Sequence, residues 1–352
     1  MKRFTLKVTD SLHQSIKSLG TQQEVVTAAI DYYIDSLTPL LKDNYKKNNT
    51  LKKQIAFKLS GEIQSKLQGL ALEPNSRHLL KLVRQILYWY LEKKNVGIFF
   101  FNGFDDDLKN ILIQRFRDLW THESTAIEGN SLSLGETSFV LKEGLTISGK
   151  TVREHDEITG HAKAIEIIYS LISKSDINEN DLFTLHRAVI INPPFDIEKP
   201  VGAWKKIENG ALWGDQYILY PSPGKIQKLM NLWIENFNLY ETPKSSLEAV
   251  KQFCEIHNTF AAVHPFFDGN GRIARLIANI PVIKAGFPPI IISNKQRMTY
   301  LKLMKDIKLA NEDKIELQGP ISEFENFVYG QWKGSLEIVE EVRQIQNKRN
   351  SS

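Results

Sequence analysis

The sequence predicts a mainly α-helical protein in which two strand-helix-helix units precede a larger helical domain that contains one β-hairpin. Three patterns lead to this prediction. Apolar residues recur at helical spacing from about Phe104 onward, and strictly alternating residues open two segments near the amino terminus. A stretch from Trp204 to Tyr220, rich in Gly, Trp and alternating residues, interrupts the helical pattern and predicts the hairpin.

Composition limits the class of protein. The 352 residues are enough for two domains of ordinary size, and 42% are apolar, which excludes overall intrinsic disorder. The single cysteine, Cys254, excludes an internal disulfide and fits a reducing cytosol. No apolar run reaches the roughly 18 residues of a membrane-spanning helix, and the first residues lack the apolar core of a secretory signal. We therefore expect a cytoplasmic protein that does not enter a membrane.

The first hundred residues contain two copies of one unit, 51 residues apart. Alternating apolar residues open each copy and predict short half-buried strands at Phe4, Leu6 and Val8 and at Ile55, Phe57 and Leu59. Thr9 or Ser60 then stands where a helix N-cap is expected. A second helix is predicted from about Thr21 in the first copy and from about Asn75 in the second.

On these residues, segment 1–95 resembles tandem units of the ribbon-helix-helix family. The resemblance implies that the two strands pair as an antiparallel ribbon whose outer face reads double-stranded DNA in the major groove. Residues 1–100 hold 16 Lys and Arg against 8 Asp and Glu, and this excess of positive charge suits the binding of a polyanion. The outward strand positions that would contact DNA are Arg3, Thr5, Lys7, Gln54 and Lys58. The alternative is a dimerisation or docking platform whose lysines only keep the protein soluble.

The densest chemical signal is the segment HPFFDGNGRIAR at residues 264–275. A helix is expected to stop at Pro265, and a new helix to begin at about Gly271 after a loop of small residues. The backbone N–H groups of Gly269, Asn270 and Gly271 would converge at the N-terminus of that helix, an arrangement that holds phosphate oxygens.

Four side chains add to this loop. Arg272 and Arg275, one helical turn apart, bring positive charge and forked donors to the same place. Asp268 can hold a divalent cation that bridges phosphates, and His264 can take a proton near neutral pH. This combination predicts nucleotide chemistry.

The same segment matches the signature H-P-F-x-(D/E)-G-N-G-R-x-x-R, so residues 104–330 resemble the Fic family. The resemblance implies a helical fold with a hairpin flap that aligns the target. It also implies transfer of AMP from ATP to a Ser, Thr or Tyr hydroxyl of a target protein, with Mg²⁺ as cofactor. His264 would be the general base and Asp268 the Mg²⁺ ligand. The ATP phosphates would be bound by Gly269, Asn270, Gly271, Arg272 and Arg275.

Two further assignments follow from the resemblance. Ser124, Glu128 and Gly129 match the inhibitory motif S/T-x-x-x-E-G/N, so Glu128 would pair with Arg275 and take the place of the γ-phosphate. Alone, this segment is an ordinary helix end with a surface glutamate. Tyr300 falls where related proteins contact adenosine, and a packed core aromatic is the alternative.

We therefore predict an autoinhibited protein adenylyltransferase that also modifies itself and could remove AMP. The alternative is a DNA-binding transcriptional regulator in which the Fic domain is a sensor or partner platform. The expected organisation is a tandem ribbon-helix-helix-like module at 1–95, a Fic domain at 104–330 with its inhibitory helix near 118–130, and a C-terminal helix and tail at 331–352. Homodimer formation is left open. His155 and His161 are expected to be structural, and Cys254 an inert core thiol.

Overall fold

The structure is a computed structural model that divides the chain into two compact units, residues 1–98 and residues 99–352. The residues that it describes are 2–8, 21–36, 53–70, 79–80, 82–83, 86–87, 100, 104–193, 196–213, 216–311 and 313–351. Each unit has its own cluster of buried apolar side chains, so each is described by itself.

Two antiparallel strands form the centre of the first unit. Strand β1 (Lys2–Val8) pairs with β2 (Lys53–Leu59), and Phe4 lies opposite Phe57 with the two rings stacked at 5.9 Å. The predicted alternation is observed, since Phe4, Leu6, Phe57 and Leu59 are buried while Thr5 and Lys58 are exposed. The strands that the sequence predicted therefore pair within one chain, with one face in the core and the other in solvent.

Helices cover the buried face of this ribbon. Helix α1 (Gln22–Ser36) begins after Thr21, whose N–H donates to the Glu24 carboxylate at 3.0 Å, and α2 (Gly61–Leu70) begins after the N-cap Ser60. The side chain of Gln23 bonds both the N–H and the carbonyl of Lys58, so α1 also covers part of the β2 edge. The predicted first helix of the first copy, with its N-cap Thr9, lies outside the described residues.

The second unit is mainly helical. Its helices are α3 (Asp106–Ile127), α4 (Leu134–Glu143), α5 (Val152–Leu171), α6 (Glu179–Val189), α7 (Pro223–Asn238), α8 (Ser246–Val263), α9 (Asn270–Ile277), α10 (Asn279–Lys284), α11 (Arg297–Asp306) and α12 (Ile321–Ser351). Its strands form two hairpins, β3 (Gly210–Trp213) with β4 (Gln216–Leu219), and β5 (Lys308–Leu309) with β6 (Leu317–Gln318). A 3₁₀ turn at Asn294–Gln296 precedes α11.

The core of this unit surrounds α8, which contacts α7, α9, α10 and α12. Large side chains such as Phe253, Phe260, Phe116 and Trp332 are fully buried there. Because α8 ends at the predicted motif and α9 begins within it, this packing fixes the motif between two buried helices. The β3–β4 hairpin lies within the Trp204–Tyr220 stretch, as predicted.

Helix α12 crosses the boundary that the sequence suggested between 330 and 331. It runs unbroken from Ile321 to Ser351, and Trp332 on it donates to the Pro288 carbonyl at 2.9 Å. The boundary predicted at 330–331 is therefore wrong, because residues on both sides of it belong to one continuous helix. Of the helices in the described ranges, none has an apolar stretch sufficient to cross a bilayer.

Candidate active site

The histidine of the motif follows α8 directly and turns the chain out of that helix. His264 has a φ of 49°, in the left-handed region, and its N–H donates to the Phe260 carbonyl at 3.0 Å. Such a conformation is strained for a residue other than glycine and persists only where its surroundings fix it. Burial, and secondly the charge of Lys205, lower the pKa of His264 to about 3, so its imidazole is neutral near pH 7.

Two buried amides and one aromatic ring surround this imidazole. The Nδ2 atoms of Asn209 and Asn270 each lie 3.1 Å from His264 Nδ1. The ring of Tyr220 stacks on the imidazole with its centroid 3.7 Å away and the planes within 5°. Sequence analysis assigned Asn270 but missed Asn209 and Tyr220, because nothing local distinguishes an Asn or a Tyr at the ends of a hairpin.

The loop before α9 has part of the geometry that its sequence predicted, because the Gly269 N–H donates to Asp268 Oδ1 and is not available to an anion. Gly269 has a φ of 78° and caps α9, and the Ile273 N–H donates to its carbonyl at 3.0 Å. The N–H groups of Asn270, Gly271 and Arg272 occupy the first turn, where a helix has no carbonyl to offer them. The Asn270 side chain bonds the N–H and the carbonyl of Phe266 and so closes the loop. The backbone donors remain for an anion.

Arg272 lies beside this helix N-terminus with little exposure to solvent. Its side chain is 5% exposed and lines a cavity of about 610 Å³ that Asp268, Phe267 and His186 also line. Within the described part of the chain, the buried Nε of Arg272 has no hydrogen-bond partner. A buried guanidinium N–H requires an acceptor, and a phosphate oxygen in the cavity would supply one.

Asp268 suits the magnesium ligand that the family resemblance implies. Its side chain is 57% exposed, its Oδ1 accepts the Gly269 N–H at 2.5 Å, and Arg272 Nη2 lies 3.5 Å from the same oxygen. One carboxylate with phosphate oxygens and water is a common ligand set for Mg²⁺, so the residues fit an ion that arrives with the nucleotide. The described residues contain no cluster of three or more His, Cys, Asp and Glu side chains that could hold a metal alone.

Arg275 is buried and bonded to residues on two helices. It is 3% exposed, and it donates through Nε to Ser124 Oγ at 3.0 Å and through Nη2 to the Ser124 carbonyl at 2.9 Å. Its Nη1 donates to the Tyr300 hydroxyl at 3.2 Å. The guanidinium is therefore held in one orientation by α3 and α11, and a second N–H of Nη2 stays available for a further acceptor.

That remaining bond goes to Glu128. Arg275 Nη2 donates to Glu128 Oε1 at 2.6 Å, and the Glu128 side chain is 38% exposed. Glu128 follows α3, and Gly129 turns the chain away with a φ of 105°. A Cβ on Gly271 would meet Glu128 Oε1 at 2.7 Å, so the carboxylate lies against the first turn of α9. The motif thus places a carboxylate beside both an arginine and the open N-terminus of a helix.

The interpretation of Tyr300 as an adenosine contact is wrong in this geometry. Tyr300 is 3% exposed, and its ring packs against His257, Phe324 and Phe327. Because Arg275 can only donate, the Tyr300 hydroxyl accepts from it and donates to His257 Nε2 at 2.9 Å. Tyr300 is a core aromatic that orients Arg275, since it has no exposed face for a base to contact.

The surroundings of the other candidate residues fit the structural roles that were expected for them. Both ring nitrogens of His155 are bonded, one to the Thr151 carbonyl at 2.7 Å and one by the Ile147 N–H at 2.8 Å. His161 is fully buried beside Trp120, and Cys254 is buried with its pKa raised by burial. On the ribbon, Thr5 and Lys58 are exposed as expected, while the side chains of Arg3, Lys7 and Gln54 lie outside the described set.

Comparison with known proteins agrees with this geometry. The sequence profile of the Fic/DOC family matches residues 176–281, which contain α6 to α9, the hairpin and the motif. Proteins named protein adenylyltransferase Fic, from Drosophila melanogaster and Drosophila sechellia, are 35% identical over 199 residues. That match covers 55% of this chain and 37% of each relative, so the chain aligns with little more than a third of their length.

Two solved structures share the fold. A Fic domain-containing signalling protein from Bacteroides thetaiotaomicron superimposes with a TM-score of 0.60 at 23% identity, covering 72% of this chain and 94% of that one. Fic-1 from C. elegans superimposes with a TM-score of 0.56 at 25% identity, covering 83% of this chain and 84% of that one. The helical arrangement around the motif is therefore shared with proteins from a bacterium and an animal.

Proposed function

Because the chain carries a domain of the Fic/DOC family at residues 176–281, we propose that it transfers AMP from ATP to a hydroxyl side chain of a target protein. One observation carries the proposal. The neutral His264 imidazole lies beside the open N-terminus of α9, and Arg272 and Arg275 are buried on that same helix. A group that can accept a proton therefore lies next to N–H groups that can bind phosphate oxygens, and attack on a phosphate requires both.

In the proposed reaction, His264 takes the proton of a Ser, Thr or Tyr hydroxyl as its oxygen attacks the α-phosphorus of ATP. The bond from the α-phosphorus to the bridging oxygen breaks, pyrophosphate leaves, and AMP remains on the target. Proton removal contributes roughly 10² to 10⁴-fold. The N–H groups of α9 stabilise the α-phosphate, and Arg272 binds the β-phosphate region. Asp268 would hold Mg²⁺, which neutralises phosphate charge when bound.

We expect His264→Ala to abolish AMP transfer while ATP binding largely survives, because its imidazole is the neutral group beside the N-terminus of α9 that can take the proton. The measurement uses purified protein, labelled ATP and Mg²⁺, with Glu128→Gly as the parent so that transfer is visible. ATP binding is followed separately by calorimetry. Undiminished labelling by His264→Ala would contradict the mechanism.

The same proposal includes autoinhibition. Glu128 occupies one bond of Arg275 and lies against Gly271, so a γ-phosphate that pairs with Arg275 has to displace it. With Glu128 in place, ATP would bind without a productive α-phosphate. Transfer to the protein itself belongs to this proposal, as does removal of AMP, for which the same carboxylate could orient water.

A second candidate function, DNA binding by residues 1–95, is supported by the antiparallel ribbon. Its buried face forms a core, and its other face exposes Thr5 and Lys58 to solvent at adjoining registers. Polar and cationic side chains on such a face can contact base edges and phosphates. A cytoplasmic location, which the lone buried thiol of Cys254 suits, completes the proposal.

A further inference from the structure

We propose that Asn209, at the start of the β3–β4 hairpin, is a positioning residue that holds His264 in the orientation a general base needs. The kinetic part of this inference rests on the proposed AMP transfer. The structural part concerns only the imidazole and its neighbours.

The Asn209 amide lies at the centre of the loop that carries the base. Its Nδ2 is 3.0 Å from the Phe266 carbonyl, 3.1 Å from the Phe267 carbonyl and 3.1 Å from His264 Nδ1. The Asn209 amide therefore holds the loop after the base together with the Asn270 amide, and it is the one of the two that contacts the Phe267 carbonyl. Asn209 is 9% exposed, so water does not readily replace these bonds.

The orientation of this amide is fixed by a second buried residue. Lys205 is 3% exposed, and its Nζ donates to Asn209 Oδ1 at 2.6 Å. An ammonium only donates, so Oδ1 faces Lys205 and Nδ2 must face the loop. A flipped amide would set its oxygen against two carbonyl oxygens and its NH₂ against the ammonium. Sequence alone does not reveal the contact between Asn209 and His264, because the two residues are 55 positions apart.

The hairpin completes the support of the base. The Tyr220 N–H donates to the Asn209 carbonyl at 3.1 Å, which closes the stem of the hairpin, and the Tyr220 ring stacks on His264. One residue of the stem therefore contacts the edge of the imidazole and the other its face. The left-handed backbone of His264 needs such support, since it is strained by itself. The two ends of the hairpin, Asn209 and Tyr220, therefore contact the His264 imidazole directly.

The kinetic test replaces the amide and separates chemistry from binding. In the Glu128→Gly parent, Asn209→Ala should lower kcat by about 10 to 100-fold, because a small displacement of a catalytic group has effects of that size. The KM for ATP should stay within about twofold, since Asn209 does not line the phosphate-binding cavity. Asn231→Ala, an exposed site on α7, is the matched control and should leave both constants unchanged.

The second test needs no turnover and uses a variant of the same shape. Asn209→Asp keeps the bond to Lys205 and the volume, but it sets a carboxylate oxygen against the Phe266 and Phe267 carbonyls. The loop should therefore shift, and the ¹⁵N resonance of His264 Nδ1, assigned with His264→Ala, should shift with it. Asn231→Asp should leave it unchanged.

An Nδ1 resonance that does not respond to Asn209→Asp would overturn the inference, as would an unchanged kcat in Asn209→Ala. If the Glu128→Gly parent itself transfers no AMP, the proposed function fails. The Nδ1 resonance then decides the positioning role alone.

Discussion

Under the proposed function, the Arg275 side chain carries both activity and its control. Three of its hydrogen bonds go to Ser124 and Tyr300 and fix the guanidinium, while the fourth goes to Glu128. Removing Glu128 therefore leaves the arginine in place and frees only the bond that a γ-phosphate needs. The sequence assigned Ser124 to the inhibitory motif. Its two bonds to Arg275 have the opposite effect, because they orient the guanidinium that would bind the γ-phosphate.

Glu128→Gly should raise AMP transfer and self-modification, because the carboxylate no longer competes for Arg275. Arg275→Ala should lower transfer even in the double variant, since the γ-phosphate then lacks its partner. The two effects should not add, as expected for groups in direct contact. Rates of AMP incorporation into the protein itself and into lysate proteins measure this for the wild type, both single variants and the double. A Glu128→Gly variant no more active than wild type would return Glu128 to an ordinary helix-end carboxylate.

At the scale of elements, the sequence was most informative where chemistry and local structure share one short segment. The residues 264–275 encode a helix end, a loop of small residues and a new helix, and all three are observed. Alternation likewise predicted β1, β2 and the β3–β4 hairpin. Contacts between distant segments could not be predicted in this way. The amide of Asn209 and the ring of Tyr220 reach His264 from another element, and the burial of Tyr300 depends on α8 and α12.

The β1–β2 ribbon leads to a prediction for DNA. If its exposed face contacts a duplex, the full chain should bind DNA with an affinity that falls steeply as salt rises, because cationic side chains displace counterions from phosphates. Replacing Arg3, Lys7 and Lys58 with alanine should reduce sequence preference more than it alters folding. Selection from genomic DNA fragments, followed by titration at several salt concentrations, measures both. Recovery of random sequence would favour the docking-platform interpretation.

At the scale of the whole second unit, α12 contacts the start of α3. The Asp105 N–H donates to Gln346 at 2.6 Å, and Arg349 bonds both carboxylate oxygens of Asp107. Helix α3 is thus anchored at one end by the last helix and at the other by Ser124 on Arg275. The sequence predicted these helices from apolar periodicity. It did not predict these contacts between α12 and the start of α3, since isolated Asp, Gln and Arg residues give no signal of their partners.

Buried histidines make this unit sensitive to acid. Burial lowers the pKa of His186 and of His257 to about 4 and that of His264 to about 3, and it lowers the pKa of His161 well below its usual value. Each histidine titrates near pH 6.5 when unfolded, so below that pH the unfolded chain binds more protons. The stability that these groups confer is complete above about pH 6.5 and is lost as pH falls toward their folded pKa values.

We therefore expect the free energy of unfolding of the second unit, residues 99–352, to decrease as the pH is lowered below about 6.5. The decrease should be up to about 1.4 kcal/mol per pH unit for each histidine. Urea titrations followed by circular dichroism at a series of pH values measure the slope. His161→Leu should reduce this slope by the contribution of one histidine, whereas the exposed control Asn231→Ala should leave the slope unchanged. A slope that is the same in His161→Leu and wild type would show that this histidine is not buried in its neutral form.

The contact between Glu128 and Arg275 lies within a single chain, and this has a consequence for dosage. An inhibitor encoded by a separate gene can be diluted, outnumbered or lost, whereas here every molecule is synthesised with its own carboxylate in a one-to-one ratio. The local concentration of that carboxylate is set by the fold and does not depend on how much protein the cell makes. Under the proposed function, overexpression alone would not release the enzyme. A change within the molecule, or a ligand that separates these two side chains, would be required.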